Sequence, residues 1–343
     1  MPVATTCIGA YPKPAYVPHM AWFHGSAQTG EADALELSPA ERQAILDRAT
    51  REVVAEQDSI GIDIPTDGEI RRANYIHYHC AHLHGFELDT LTECTMRNGA
   101  WTAEVPSFTG RIRAGAPFLV RDWTIAQSAT ARPVKITVPG PLTVSDSTAN
   151  LFYPDRRSWC ADLADALNVE IRRLAEAGCR HIQVDEPLFA RLPDEALEFG
   201  VENLERCFHG VPDDVTRTMH MCCGYPDRLD ETDYVKADPE VYEKLAGAVN
   251  ASLVDAVSIE DAHRHNDLGL LEAFADTTVV LGVVEIASSR VETFEGIVCR
   301  LREALNHIDA ERLMAAPDCG LIMLGSDLAR AKLRRLVKAA RAV

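Results

Sequence analysis

Eight short β-rich runs, each closing on polar or glycine-bearing residues, constrain the fold more than any other feature of this chain. They read TTCIGA (5–10), IDIPTDG (62–68), VKITVPG (134–140), HIQVDEP (181–187), TRTMHMCCG (216–224), AVSIED (256–261), VVLGVVEI (279–286) and RLMAAPDCG (312–320). Helical patterns separate most of them. SPAERQAILDRATREVVAEQDSIG carries Ser38 with Glu41 three residues on, the signature of a capping box. PDRRSWCADLADALNVEIRRLAEAGC and TFEGIVCRLREALNHI repeat apolar residues at helical spacing. Strands alternating with helices over 343 residues predict a single (β/α)8 barrel. An open doubly wound sheet would want a glycine-rich phosphate loop after an early strand, and the chain has no GxGxxG or GxxxxGK[ST]. Residues 85–133 are long for a strand-to-helix connection and are expected to form a hairpin-like insertion over the barrel mouth. No Gly-, Pro- or Ser-rich linker divides the chain, so residues 1–343 read as one domain. The basic amphipathic stretch SDLARAKLRRLVKAARAV reads as the helix that closes the barrel.

Charge excludes whole classes of partner. Acidic residues outnumber basic ones 52 to 34, for a formal net charge of −18. Nucleic acids and anionic membranes need a basic footprint, so neither is expected. No apolar run approaches the ~20 residues that span a bilayer. The opening MPVATTCIGAYPKP lacks the basic and apolar regions of a signal peptide, and a cytoplasmic enzyme is expected. Ten cysteines are too sparse for a disulfide scaffold, which leaves buried thiols or metal ligands. Cys160, Cys179, Cys207 and Cys299 sit in apolar or helical stretches and read as small buried hydrophobes. Cys222 and Cys319 sit at strand ends.

Reactive residues gather at those ends. Glu69 closes the second run, Asp185 and Glu186 the fourth, His220 and Cys222 the fifth, Glu260 the sixth and Cys319 the eighth. In a barrel the carboxyl ends of the strands meet at one face, where active sites are built. Residues i and i+2 on a strand point the same way, so the imidazole of His220 and the thiolate of Cys222 can reach one ion. Cys319 adds a second sulfur and Glu260 an oxygen, a tetrahedral set that suits zinc. Cys223 is expected to face the other way and to be structural. His77, His79, His82 and His84 in NYIHYHCAHLHG lie on a segment that reads as helical, where alternate residues diverge. They are expected to form a solvated or substrate-facing helix start rather than a metal site.

With these residues in view, the chain resembles the catalytic half of cobalamin-independent methionine synthases, zinc-dependent barrel methyltransferases. TTCIGAYPKP, TDGEIRRANY, HLHGFE, VKITVPGPLT, HIQVDEP, HMCCG, SIED, GVVEI and APDCGL carry the resemblance in order across about 310 residues. The chain looks like the single-barrel branch, which includes relatives that alkylate other thiols, such as epoxyalkane:coenzyme M transferases. The resemblance implies zinc bound by His220, Cys222, Glu260 and Cys319. It implies homocysteine or a similar small thiol held at its ammonium by Glu69 and Asp185, with Ile8, Gly9 and Ala10 also lining the substrate. Glu186 would face the pterin of methyltetrahydrofolate, and Trp101 in MRNGAW would stack on it. Two departures stand out. Ala10 replaces a family serine that binds the amino acid, and Ala287 replaces a family histidine that protonates the leaving pterin. Glu285, His263 and His265 are the candidates to replace that histidine. A methylated corrinoid would need no such proton, so the methyl donor, another thiol acceptor and a helper protein stay open.

Overall fold

The computed structural model describes residues 2–17, 37–96, 101–232, 234, 236–238 and 240–343. Its strands are β1 (Ala4–Thr5), β2 (Leu83–Met96), β3 (Trp101–Ala114), β4 (Lys135–Pro139), β5 (Ala149–Asn150), β6 (His181–Asp185), β7 (Thr216–Met221), β8 (Ala256–Ile259), β9 (Thr278–Val284) and β10 (Leu313–Pro317). Among the described residues, seven of these form one curled sheet in the order β1-β10-β9-β8-β7-β6-β4, and every pairing in it is parallel. Both faces are covered, so β4 and β8 are buried along their whole length. That burial is why these runs read as continuous apolar stretches rather than alternating ones.

Seven of the eight runs read from the sequence fall on strands of this sheet. The remaining one, IDIPTDG, makes only two isolated parallel bridges, Thr6 to Ile64 and Thr66 to Lys135. Local chemistry explains its brevity. Pro65 has no N–H to give to a ladder, and the Asp63 carboxylate takes the Thr5 N–H at 2.9 Å and the Thr5 hydroxyl at 2.8 Å. Those bridges nonetheless touch β1 at one edge of the sheet and β4 at the other.

The first long helix, Pro39–Ile60, has the predicted capping box, with Ser38 and Glu41 each satisfying the other's backbone N–H. Helices at Arg156–Ala177, Phe294–Ala304 and Ser326–Ala340 follow the apolar spacing read from the sequence. Among the described residues no helix is long and apolar enough to cross a membrane.

The segment 85–133 is only partly the expected excursion. β2 and β3 pair antiparallel from Leu83–Ala114 to Met96–Trp101, and Phe108 and Ile112 seal a small core against Ile76, Trp159 and Leu163. Residues Leu119–Gln127 instead form a helix. Its buried face includes Asp122, whose carboxylate takes the Arg71 guanidinium at 2.9 Å and the Tyr78 hydroxyl at 2.6 Å. A charged residue on the buried face hides the apolar periodicity from a reading of the sequence alone.

Candidate active site and metal centre

The loops after the parallel strands enclose a cavity. Ile8, Gly9 and Ala10 follow β1 and line it, together with Glu69, Asp185, His220, Cys222 and Cys319. Three side chains from two of the runs, 216–224 and 312–320, converge in it. One ligand atom from each of His220, Cys222 and Cys319 lies within 4.8 Å of the others, a geometry that could hold a metal ion. The His220 Nε2 to Cys319 Sγ distance is 3.4 Å. The other ring nitrogen, Nδ1, meets the Ser258 hydroxyl at 3.0 Å, and this fixes the ring with Nε2 toward the sulfurs.

Glu260 stands beside this trio rather than inside the 4.8 Å spread. Its Oε2 accepts the Cys223 N–H at 2.9 Å and lies 3.6 Å from His263 Nε2. Its Oε1 is buried and has no hydrogen-bond partner. Cys223, as expected, turns away, its thiol meeting the Tyr242 hydroxyl at 3.3 Å.

Electrostatics say what this cluster needs. Burial, then the positive charge of Lys135, push the His220 pKa down to about 3, so the imidazole is neutral and its lone pair available. A hydrogen bond with Cys319, then burial, hold the Cys222 thiol well above its ordinary value, while Arg191 opposes that shift. Burial, then the charge of Cys222, raise Glu260 in the same direction. The buried Cys222 thiol and Glu260 carboxylate, crowded together, resist ionising. A divalent cation reverses that balance, because a coordinated thiol loses its proton outright. Two sulfurs, one oriented imidazole and an orphaned buried carboxylate oxygen fit a borderline-soft metal ion.

The cavity lining is also acidic. Glu69 has φ 55°, left-handed for a non-glycine residue, directly after Gly68 at φ 67°. That strained turn places its carboxylate against the Thr137 hydroxyl at 2.6 Å and the Arg72 guanidinium at 3.1 Å. Gly9 must be glycine here, since a β-carbon would come within 2.5 Å of Glu69 Oε1. Burial raises the Glu69 pKa, with Arg72 and Thr137 opposing. Asp185 accepts the Gln183 amide at 2.7 Å and the Tyr75 hydroxyl at 2.9 Å. Burial and the nearby Glu69 charge push it up to about 7.

The segment Ile8–Ala10 is held rigidly. Its three carbonyls accept from Gln183 Nε2 at 2.8 Å, the Thr66 hydroxyl at 2.7 Å and the Leu321 N–H at 2.7 Å.

Other predicted residues lie elsewhere. Glu186 does not line the cavity. Its carboxylate accepts the Leu142 and Thr143 N–H groups at 3.0 Å each and the Thr143 hydroxyl at 2.7 Å. It therefore caps the short helix Pro141–Asp146. The dipeptide Asp185-Glu186 splits because neighbouring residues at a strand end face opposite ways. Of the histidines on and after the helix Tyr75–Cys80, only His77 lines the cavity; His79 is fully buried and His82 stacks on Phe118 at 4.0 Å. His263 is bound through Nδ1 to Asp318 at 2.7 Å, and neither it nor His265 nor Glu285 lines the cavity. The Trp101 side chain lies outside the described residues. Arg72, Tyr75, Thr137 and Arg191 escaped the sequence reading because no spacing links them to the residues they meet.

The fold is α/β, with the candidate site at the carboxyl ends of parallel strands. Residues 3–342 match the family described as the catalytic domain of cobalamin-independent synthases. A methionine synthase from Saccharolobus solfataricus is 30% identical over 342 residues, covering 99% of this chain and 94% of its own length. One from Pyrococcus abyssi is 29% identical over 341 residues, covering 99% of this chain and 92% of its own length. A B12-independent methionine synthase from a Shewanella species, solved in complex with selenomethionine, superposes with a TM-score of 0.88 at 27% identity, covering 100% of this chain and 98% of that one. This chain belongs to the cobalamin-independent methionine synthase family, and it is a methyltransferase.

Proposed function

We propose that this protein methylates the sulfur of homocysteine to give methionine, with zinc bound by His220, Cys222, Cys319 and Glu260. The observation that carries the reading is the convergence of an imidazole and two thiols within 4.8 Å in a cavity that Glu69 and Asp185 also line. Selenomethionine in the Shewanella relative supports a methionine-shaped ligand. When bound, zinc keeps the substrate sulfur deprotonated and nucleophilic at neutral pH. The chain's own groups do the rest. Glu69 and Asp185 receive the ammonium end, and the rigid Ile8–Ala10 segment forms the wall beside it. Glu260, with its orphaned Oε1, would help to hold the ion. Glu186 acts through the helix it caps, whose Thr143 and Asp146 line the cavity, rather than touching the donor.

The same reading treats residues 62–68 as the eighth stave of one barrel spanning residues 1–343, because the two bridges touch both edges of the sheet. The hairpin is then an insertion after that stave. A cytoplasmic setting fits a site that needs reduced sulfur, since the cysteines are all free thiols.

Ala287 favours a donor other than methyltetrahydrofolate. It is buried, its carbonyl accepts the Asp230 N–H, and none of Glu285, His263 and His265 reaches the cavity in place of the family histidine. The test is methionine formation, read by mass spectrometry. Zinc-loaded protein would receive homocysteine with either methyltetrahydrofolate or methylcobalamin, and Cys319→Ser would serve as control. Methionine from the corrinoid alone is expected. Methionine from the folate would show that Ala287 is tolerated; none from either donor would overturn the reading.

A further inference from the structure

Beside the metal cluster lies a pair of side chains that the reading above leaves unused. Asp318 directly precedes Cys319, just past the end of β10, and is completely buried. Its Oδ1 accepts the N–H groups of Asp261 at 3.0 Å and Ala262 at 2.9 Å, and its Oδ2 accepts that of His263 at 3.0 Å. These donors belong to the loop after β8, so the side chain must cross β9, which lies between β8 and β10 in the sheet. Gly282 on β9 makes the crossing possible, since a β-carbon there would come within 2.2 Å of Asp318 Oδ1. One carboxylate thereby ties the segment carrying Glu260 to the segment carrying Cys319.

The same carboxylate orients His263. With three N–H groups already donating to its oxygens, Asp318 acts as an acceptor, and His263 Nδ1 donates to Oδ2 at 2.7 Å. The other ring nitrogen, Nε2, is left 3.6 Å from Glu260 Oε2, beyond hydrogen-bond length but within reach of an ion pair. Both side chains are nearly sealed from solvent. Glu260 Oε2 also accepts the Cys223 N–H at 2.9 Å. His263 and Cys223 therefore address the same oxygen, and among the described residues Glu260 Oε1 is buried with no partner. A carboxylate pinned by one oxygen offers the other in a single orientation.

We propose that His263, fixed by Asp318, is a positioning residue that holds Glu260 by Oε2 and leaves Oε1 free to help hold the metal ion. His263 does not line the cavity, so it acts through Glu260 rather than on the substrate. The proposal rests on reading Glu260 as a zinc ligand and says what keeps that ligand in place.

Metal binding, read without any substrate, tests this. Zinc affinity of the metal-free protein would be measured against a chromophoric chelator, and cobalt(II) would replace zinc to report the ligand field. In His263→Ala, zinc affinity should fall by roughly 10–100-fold, the order expected when a group behind a metal ligand is removed. The cobalt ligand-field bands should shift while the thiolate-to-cobalt charge-transfer band stays. His263→Gln keeps an N–H donor and should recover part of the loss. In a Glu260→Gln background, adding His263→Ala should change affinity by less than about twofold, because the group it acts through has gone. Undiminished affinity with an unchanged cobalt spectrum in His263→Ala, or the same loss in both backgrounds, would overturn the proposal. If Glu260→Gln weakens binding and His263→Ala does not, the proposal falls and Glu260 remains a ligand. If Glu260→Gln changes neither affinity nor spectrum, both fall. If the pattern holds but no methionine forms with either donor, the role of His263 stands and the methyl-transfer reading falls.

Discussion

The two walls of the cavity are organised in opposite ways. On the acidic wall, Asp185 is hydrogen-bonded by Gln183 and Tyr75, and Glu69 by Thr137 and Arg72. Both carboxylates are held by protein contacts. On the wall built from β7, β8 and β10, the polar atoms face one another, with Cys319 Sγ 3.4 Å from His220 Nε2 and Glu260 Oε1 buried without a partner. In the proposed function, an ammonium group would meet carboxylates that protein contacts already hold in place. The second wall becomes a stable charged assembly only around a cation. One fold thus prepares one half of a site in advance and leaves the other half to be finished by a ligand.

The largest effect should come from the unfinished wall. Cys319→Ser is expected to lower bound metal and to cut methyl transfer by at least ~10³-fold, since losing even a group behind a ligand costs ~10–100-fold. Metal analysis alongside the rate checks it, and full zinc occupancy with a normal rate would erase the contrast between the walls.

The finished wall should respond through stability first. Arg72→Met strands the buried Glu69 carboxylate and should destabilise the protein by about 3–5 kcal/mol in denaturant unfolding. Adding Glu69→Gln should restore part of that loss, because one of the two buried carboxylates facing Arg72 has gone while Asp67 remains.

Asp185→Asn should leave metal content intact and raise the KM for homocysteine by roughly 10–100-fold, the worth of one charged hydrogen bond. The unchanged protein should bind homocysteine more weakly as pH falls below about 7, where Asp185 takes up a proton and no longer faces an ammonium as an anion. In the Asn variant that contribution is absent, so isotherms across pH 6 to 8 should flatten relative to the unchanged protein ~one unit either side of neutral. A slope of the same steepness in both proteins would remove Asp185 from the ammonium site.

The smallest catalytic effect is expected at Glu186. Glu186→Gln weakens the cap on Pro141–Asp146 and should cost about 1–3 kcal/mol of stability while changing kcat/KM by less than about threefold. A large loss of rate with unchanged stability would return Glu186 to the reacting centre.

How much of this was legible in the chain follows from range. The capping box at Ser38 and Glu41 is a local rule, and it was visible. The strand runs were visible because burial on both faces writes apolar residues continuously. His220 and Cys222 could be paired because i and i+2 share a face of one strand. By contrast, the helix at Leu119–Gln127 was hidden, since Asp122 on its buried face is satisfied by Arg71 and Tyr78 from elsewhere in the chain. The partners of Glu186 were hidden for a related reason: the sequence shows that it follows Asp185, but not that helix 141–146 presents N–H groups to it.

The sequence by itself determined the alternation of strands and helices, and with it the strand ends on which the reactive residues fall. Local geometry, repeated every two residues along a strand or every turn of a helix, is enough for that. Only the tertiary structure decided which of those residues meet. Cys319 reaches His220 across 99 residues, Arg72 reaches Thr137 across 65, and Arg191 shares one cavity with Ile8. Those meetings are set by the closing curve of the sheet, and no spacing along the chain encodes them.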